Sequence, residues 1–230
     1  MFFKFLVLSM LIGVFCVSSL KAQGVPIFSL KEIPNLPSDF HYFRDSASLC
    51  KYPRVVIYGA DAYEKAQKVK CPGQERIVTG ILYVSHFWNP SYCYLSPLPS
   101  PKFLKSYGTS FVVLTSGTFE FYLKDLEKRG FRLEYVYIKN WFEIEQALVE
   151  ALSYNLPLLL LPDPPLMDQR VRPILRERLK QFTQRIINLQ GVPLKIEREV
   201  LYRPNLESLY SALRTLFFQP FVKGSIHYLD

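Results

Sequence analysis

From residue 108 onward, apolar positions recur along this chain at two alternating periods. Residues 111–115 (Phe-Val-Val-Leu-Thr) form a short unbroken apolar run. The next segment, 118–129, carries Phe119, Tyr122, Leu123 and Leu126 at helical spacing, with charges between them. Unbroken runs of this length suit strands buried on both faces, and i, i+3, i+4 spacing suits a helix with one buried face. The alternation continues with a strand at 131–138 and a helix over about 141–153. That helix is started by Asn140 with Glu143 three residues on, and its stripe is Ile144, Leu148 and Leu152. Gly130 ends the preceding helix.

Residues 156–164, Leu-Pro-Leu-Leu-Leu-Leu-Pro-Asp-Pro, are the clearest single signal. The run is too short to span a bilayer, and Pro157 and Pro162 argue against a helix, so it reads as a central strand. Beyond it the spacing of Leu175, Leu179, Phe182, Ile186 and Leu189 predicts a helix from about 171 to 190, stopped by Gly191. A strand is expected at 192–196. Asn205 caps a last helix with the stripe Leu206, Leu209, Tyr210, Leu213 and Phe217.

The first half is less regular. Residues 54–59 (Arg-Val-Val-Ile-Tyr-Gly) predict a buried strand, 60–70 a short helix and 77–85 another strand. Residues 23–53 read as an extended lead-in, and 87–101, with Asn-Pro and Ser-Pro, as an irregular connection. Strands alternating with helices imply right-handed crossovers and parallel sheets, an α/β fold.

The first 22 residues carry Lys4, an apolar segment and the small-residue zone before Ala22, the pattern of a cleaved secretory signal. An uncleaved anchor is the alternative, and Cys16 follows a bulky Phe15 where lipidation would want a small residue. No later segment is long and apolar enough to span a membrane. Cleavage lowers the formal charge from +8 to +6. A basic balance can favour acidic ligands, anionic lipid or a polyanionic envelope, or simply reflect a solvated surface. No nucleic-acid-binding motif accompanies it. Export would leave Cys50, Cys71 and Cys93, which allow one disulfide (Cys50–Cys71 or Cys71–Cys93) and one spare thiol. Their spacing matches no zinc motif, and neither a metal nor a cofactor is expected.

Candidate chemistry sits at the turns that follow strands. Open α/β sheets bind ligands at the C-terminal ends of their strands, so Tyr58, Gly59 and Ala60, then Ser116, Gly117 and Thr118, and finally Asp163 are the candidate ligand residues. Each has a structural alternative. Ser116 or Gly117 can cap a helix, Gly59 can simply turn the chain, Asp61 can favour a helix start, and Asp163 can lock its own proline-flanked loop. Tyr83, Phe87, Trp88 and Tyr92 offer either a stacking pocket or packing around a loop. No P-loop, no Gly-x-Gly-x-x-Gly, no nucleophile elbow and no paired carboxylates are present, and His86 and His227 lack obvious partners. The sequence thus points away from an enzyme. Arg172, Arg176, Arg178, Lys180 and Arg185 make one helix basic, a solvated face or a surface for an anionic partner.

These elements resemble the ABC transporter substrate-binding proteins of the type I periplasmic-binding fold. The resemblance rests on Val55-Val56-Ile57-Tyr58-Gly59-Ala60 with its helix, on the strand and turn at 111–118, on Leu160-Leu161-Pro162-Asp163-Pro164, and on Tyr202-Arg203-Pro204-Asn205 with its helix. It covers roughly 54–218. It implies a periplasmic protein with a signal peptide at 1–22. A first lobe would be built from 23–107 plus 199–230 and a second from 108–198. It also implies a non-catalytic role in uptake, with a small organic ligand between the lobes. The partner would be an ABC permease or another envelope protein, and the membrane would be reached only through that partner or an uncleaved signal. Because only about thirty irregular residues precede the strand at 54–59, the first lobe is expected to be reduced. A relative that has lost its ligand and works as an envelope interaction or sensory module is the alternative.

Overall fold

The computed structural model describes residues 24–229, so the expected signal peptide lies outside the described residues. Two sheets, both wholly parallel, organise the chain. The first contains β1 (Val25–Phe28), β2 (Phe40–Phe43), β3 (Arg54–Tyr58), β4 (Glu75–Thr79), β5 (Cys93–Pro99) and β11 (Ile226–Leu229), in the order β2-β1-β3-β4-β5-β11. The second contains β6 (Ser110–Thr115), β7 (Arg132–Tyr137), β8 (Leu158–Leu160), β9 (Ile186–Asn188) and β10 (Glu199–Leu201), in the order β7-β6-β8-β9-β10. Each sheet therefore repeats one doubly wound pattern, in which the second strand lies outside the first and the third inside it. This is the α/β architecture that the resemblance implied.

Alternate residues on a strand face opposite sides, and the cores follow that rule. Val112, Leu114, Leu158, Leu160 and Ile186 face α4 (Ile144–Ser153) and α6 (Val171–Leu179), whereas Phe111, Val113, Leu159 and Ile187 face α3 (Glu120–Lys128). In the first sheet Val55, Ile57 and Val78 pack on α1 (Ala60–Gln67). Val56, Ile77 and Leu95 pack on α7 (Leu206–Phe218) through Leu209, Leu213 and Phe217. The chain crosses between sheets twice, through α2 (Pro101–Lys105) and through residues 202–205. The second sheet is thus threaded wholly between β5 and α7.

Caps behave as their residues dictate. The Glu143 carboxylate accepts from the backbone N–H groups of Lys139 (2.8 Å) and Asn140 (3.4 Å), and Asn205 accepts from the Glu207 N–H at 2.9 Å. Gly130 has φ +87°, a left-handed stop that costs glycine nothing.

Four sequence expectations change. Residues 23–53 hold two strands, so the first sheet is not short of strands; its economy lies in the crossovers, since no helix separates β1 from β2. Residues 93–99 form β5 despite Pro97 and Pro99. The ladder to β4 ends at Leu95, before either proline would owe it an N–H. The helix expected to reach residue 190 stops at Leu179, and Ile186 and Leu189 belong to strand-type burial. The unbroken buried run from 186 to 189 is inconsistent with one helical face. The next strand is β10 at Glu199–Leu201, not 192–196. It pairs with β9, so these three residues extend the second sheet rather than open the return to the first.

The cysteine alternatives resolve to Cys50–Cys71, with Cys93 buried and free. Among the described residues no helix is long and apolar enough to cross a membrane, and no cluster of His, Cys, Asp and Glu could hold a metal ion.

Candidate functional site

The switch point of a doubly wound sheet lies between its first and third strands, where crossovers leave in opposite directions and open a crevice. In the first sheet that crevice is the space between the loops after β1 and β3. A depression of about 230 Å³ lies there, lined by Ser29, Leu30, Lys31, Tyr58, Gly59, Ala60, Asp61 and Gly80. Tyr58, Gly59 and Ala60 are therefore brought together, with residues 29–31 and Gly80 that sequence reasoning missed. Gly59 starts α1 at φ +89°, and its N–H donates to the Thr79 carbonyl at 2.9 Å. Lys31 and Asp61 meet at 3.2 Å across the mouth, both largely exposed, a pairing that contributes little to stability.

Gly80 shapes this depression from below. It has φ +69°, and a Cβ there would stand 3.2 Å from both the Gly59 nitrogen and the Tyr58 ring. Gly80→Ala is expected to cost about 1–2 kcal/mol, because it adds a left-handed alanine to a crowded site. Denaturant unfolding checks this; a change below a few tenths of a kcal/mol would mean the turn relaxes freely.

In the second sheet the equivalent residues follow β6 and β8. Asp163 is fully buried. Its carboxylate accepts from the Ser116 N–H (2.9 Å), the Thr115 hydroxyl (3.1 Å) and the Ser116 hydroxyl. The Ser116 and Thr118 hydroxyls lie 2.7 Å apart, and the Gly117 N–H donates to the Thr115 hydroxyl at 3.0 Å. Asp163 and Ser116 thus form one closed unit, in which the carboxylate fixes the turn after β6. Gly117 lines a second cavity of about 340 Å³ with Tyr135 and Tyr137, and Thr118 faces a third small cavity beside Phe119. Of the seven candidate residues, Tyr58, Gly59 and Ala60 thus share one cavity, Gly117 and Thr118 each line another, and Ser116 and Asp163 hold the turn between β6 and α3.

Between the groups lies the segment after β4. Tyr83 contacts Phe119 (ring centroids 5.5 Å) and its hydroxyl donates to the Pro162 carbonyl at 3.4 Å. Burial, and secondarily the Asp163 carboxylate, push the Tyr83 phenol up, which keeps it a donor. The C-terminal edges of the two sheets consequently face one another, with Leu82, Tyr83 and Phe119 at the junction. Other aromatics of this region serve packing: Phe87 and Tyr92 edge onto Tyr63, and Trp88 stacks on Tyr94 at 5.2 Å.

The basic helix is also internally engaged. Arg172 and Arg176 donate to the carbonyls of Pro193 and Leu194, Arg178 meets Glu145 at 3.1 Å, Lys180 meets Glu177, and Arg185 lies over the Tyr107 ring. Arg172 and Arg176 thus hold the loop after β9, and Arg178 ties α6 to α4. His227 finds a partner in the Ser225 hydroxyl at 3.1 Å, and burial lowers its pKa.

No family model matches this chain, and no curated protein matches it. Among solved structures it is similar to the ABC domain from Streptococcus pneumonia in complex with L-Trp. That likeness has 11% identity and a TM-score of 0.43, covering 90% of this chain and 89% of the other. A conserved domain protein from Vibrio cholerae gives 12% identity over 93% of this chain and 82% of its own, with a TM-score of 0.42. The ligand-free, open form of a substrate-binding protein with adhesive properties from Clostridium difficile gives 11% identity, 90% and 88% coverage, and a TM-score of 0.39. These are loose likenesses of chain course over most of the length, and they transfer no ligand.

Proposed function

We propose that this chain is an exported, non-catalytic binding module of the periplasm, of the kind that serves an ABC-type uptake system. It takes a small organic ligand between its lobes and hands it to a permease. One observation carries the reading: the loops at the C-terminal ends of two doubly wound sheets meet at Tyr83, Phe119 and Pro162. Ligand groups would meet the backbone of Gly59 and Ala60 with the Tyr58 ring on one side. On the other they would meet the turn at Ser116, Gly117 and Thr118, held in shape by Asp163. Opening about the two crossovers would admit the ligand, and closure would bury it.

A ligand that binds only the folded protein raises its melting temperature. Screening amino acids, nucleosides and organic acids by thermal shift is expected to give at least one saturable increase, reduced in Ser116→Ala. A flat screen would favour the second reading, an envelope interaction or sensory module that has lost its ligand. That reading draws on Leu82, Tyr83 and Phe119, which already fill the junction between the lobes.

A further inference from the structure

Because the first sheet is parallel, all its strands start at one edge, at the end away from the loops that meet the second lobe. The 3-10 helix Ser46–Lys51 runs into β3 at this edge, and α1 returns to it. The Cys50–Cys71 bridge, with Cα atoms 5.2 Å apart, therefore sets Lys51 beside Lys70. Lys65 lies in the last turn of α1 and Lys68 just past it. Lys223 precedes β11, about 15 Å along the edge from β3 by strand spacing. All five lysines are exposed, and among the described residues none makes an ion pair.

The carboxylates around them are fewer and largely engaged. Glu75 binds Arg54, Asp39 binds Arg214 at 2.7 Å, and Asp61 meets Lys31 at the far end of α1. Asp45, at the opposite end of the 3-10 helix from Lys51, accepts from the Ala47 N–H and the Ser48 hydroxyl. Glu64 is exposed on α1 without an ion pair. Two apolar side chains stand out of the same edge, Phe218 at 42% exposure and Val222 at 57%. Arg54, at the start of β3, fixes their segment there: it donates to the carbonyls of Phe217 and Gln219 and lies over the Phe221 ring.

We infer that this edge docks directly on an anionic lipid surface, with Lys51, Lys65, Lys68, Lys70 and Lys223 among the headgroups and Phe218 and Val222 at the acyl boundary. Each cation lacking a counter-ion gains from a negatively charged leaflet, and exposed apolar side chains beside it gain by leaving water. Long lysine stems let the ammonium groups reach headgroups while their methylenes cover apolar surface. The chain also enters the fold on this edge, at Val25, so the secretory signal read in residues 1–22 delivers these lysines to a membrane. Docking here leaves the turns at Gly59 and Ser116 free, because they lie at the other ends of the strands.

The test uses the chain from Gln23 on, which carries both sheets and their cores but not the apolar segment that would bind lipid by itself. Co-sedimentation with vesicles of three parts phosphatidylcholine to one part phosphatidylglycerol is expected at about 1 mM lipid in low salt, and to weaken as salt rises. Vesicles of phosphatidylcholine alone should retain little protein. Lys65→Gln, Lys68→Gln and Lys70→Gln together should lower affinity about a hundredfold, and Lys51→Gln with Lys223→Gln about tenfold or more. Phe218→Ser with Val222→Ser should also weaken it, whereas Lys102→Gln, Lys105→Gln and Lys139→Gln, equal in charge but away from this edge, should bind nearly as the parent does. Unchanged melting temperatures show that these surface variants fold. Absence of sedimentation with the anionic vesicles would overturn the proposal, as would equal binding to neutral vesicles or an equal loss in the variant altered elsewhere. Retention on immobilised poly-glutamate with none on vesicles would assign the edge to an acidic protein and overturn the lipid.

Discussion

Asp163→Ala should lower the stability of the protein by about 4 kcal/mol, since each buried donor left without a partner costs about 1–3 kcal/mol. Asp163 is fully buried and serves the Ser116 N–H together with the hydroxyls of Thr115 and Ser116. Alanine removes the acceptor for all three at once; buried Thr115 finds no replacement, whereas water can take over part of the share of exposed Ser116. Asp163→Asn keeps one carbonyl oxygen but turns an amide N–H₂ toward donors, so roughly half that loss is expected. Urea unfolding of both variants measures the difference directly. The same experiment separates the two roles open to this residue. A melting temperature that falls while ligand affinity barely changes assigns Asp163 to shaping the turn. A stable variant with weakened binding, by about 1.5–3 kcal/mol for a hydrogen bond to a charged group, would give the carboxylate to the ligand.

Breaking the Cys50–Cys71 disulfide should cost about 3 kcal/mol, because a cross-link over 21 residues restricts the unfolded chain by that order. Cys50 lies in the 3-10 helix Ser46–Lys51 that leads into β3, and Cys71 follows α1. The bond therefore encloses β3 and α1, the strand and helix that carry Tyr58, Gly59 and Ala60. Gln74 reinforces the same seam by donating to the carbonyls of Leu49 (2.6 Å) and Tyr52 (2.9 Å). Cys71→Ser, or added reductant, should lower the melting temperature of the whole protein. Cys93 supplies an internal control. It is buried, and burial raises its pKa, so in a chain cleaved after Ala22 a thiol reagent should titrate none in the native oxidised protein and one after unfolding. A native thiol count of one would mean the cysteines pair differently in solution.

Elements with a strong local period were legible in the sequence. The runs at 111–115 and 158–161 are buried on both faces, and α3, α4 and α7 display one apolar stripe each, so pattern and burial say the same thing. Where they diverge, reading failed for identifiable reasons. Phe182, Ile186 and Leu189 happen to continue the helical spacing of α6, yet Ile186 and Leu189 are buried along a strand. The strand Val25–Phe28 contains Pro26 and only four residues, too few to show a period. The candidate turns were found because strand ends announce them. Ser29, Lys31 and Gly80 were not, because their place beside Gly59 depends on which strands are neighbours, and strand order leaves no local trace. The engagement of the arginines at 172, 176 and 178 was hidden for the same reason, as the acceptors of the first two lie on a loop and that of the third on α4, all remote in sequence.

The threading of the second sheet between β5 and α7 has a consequence for biogenesis. Residues 110–201 contain every strand of that sheet and the helices on its far face, so this part can close as soon as it has emerged from a synthesising or translocating machine. The first lobe cannot. Its face under Val56, Ile77 and Leu95 stays bare until Leu209, Leu213 and Phe217 arrive, and β5 lacks its outer neighbour until Ile226–Leu229 follow. The half made first is therefore the half finished last, and for that interval its apolar face is the natural substrate for a chaperone.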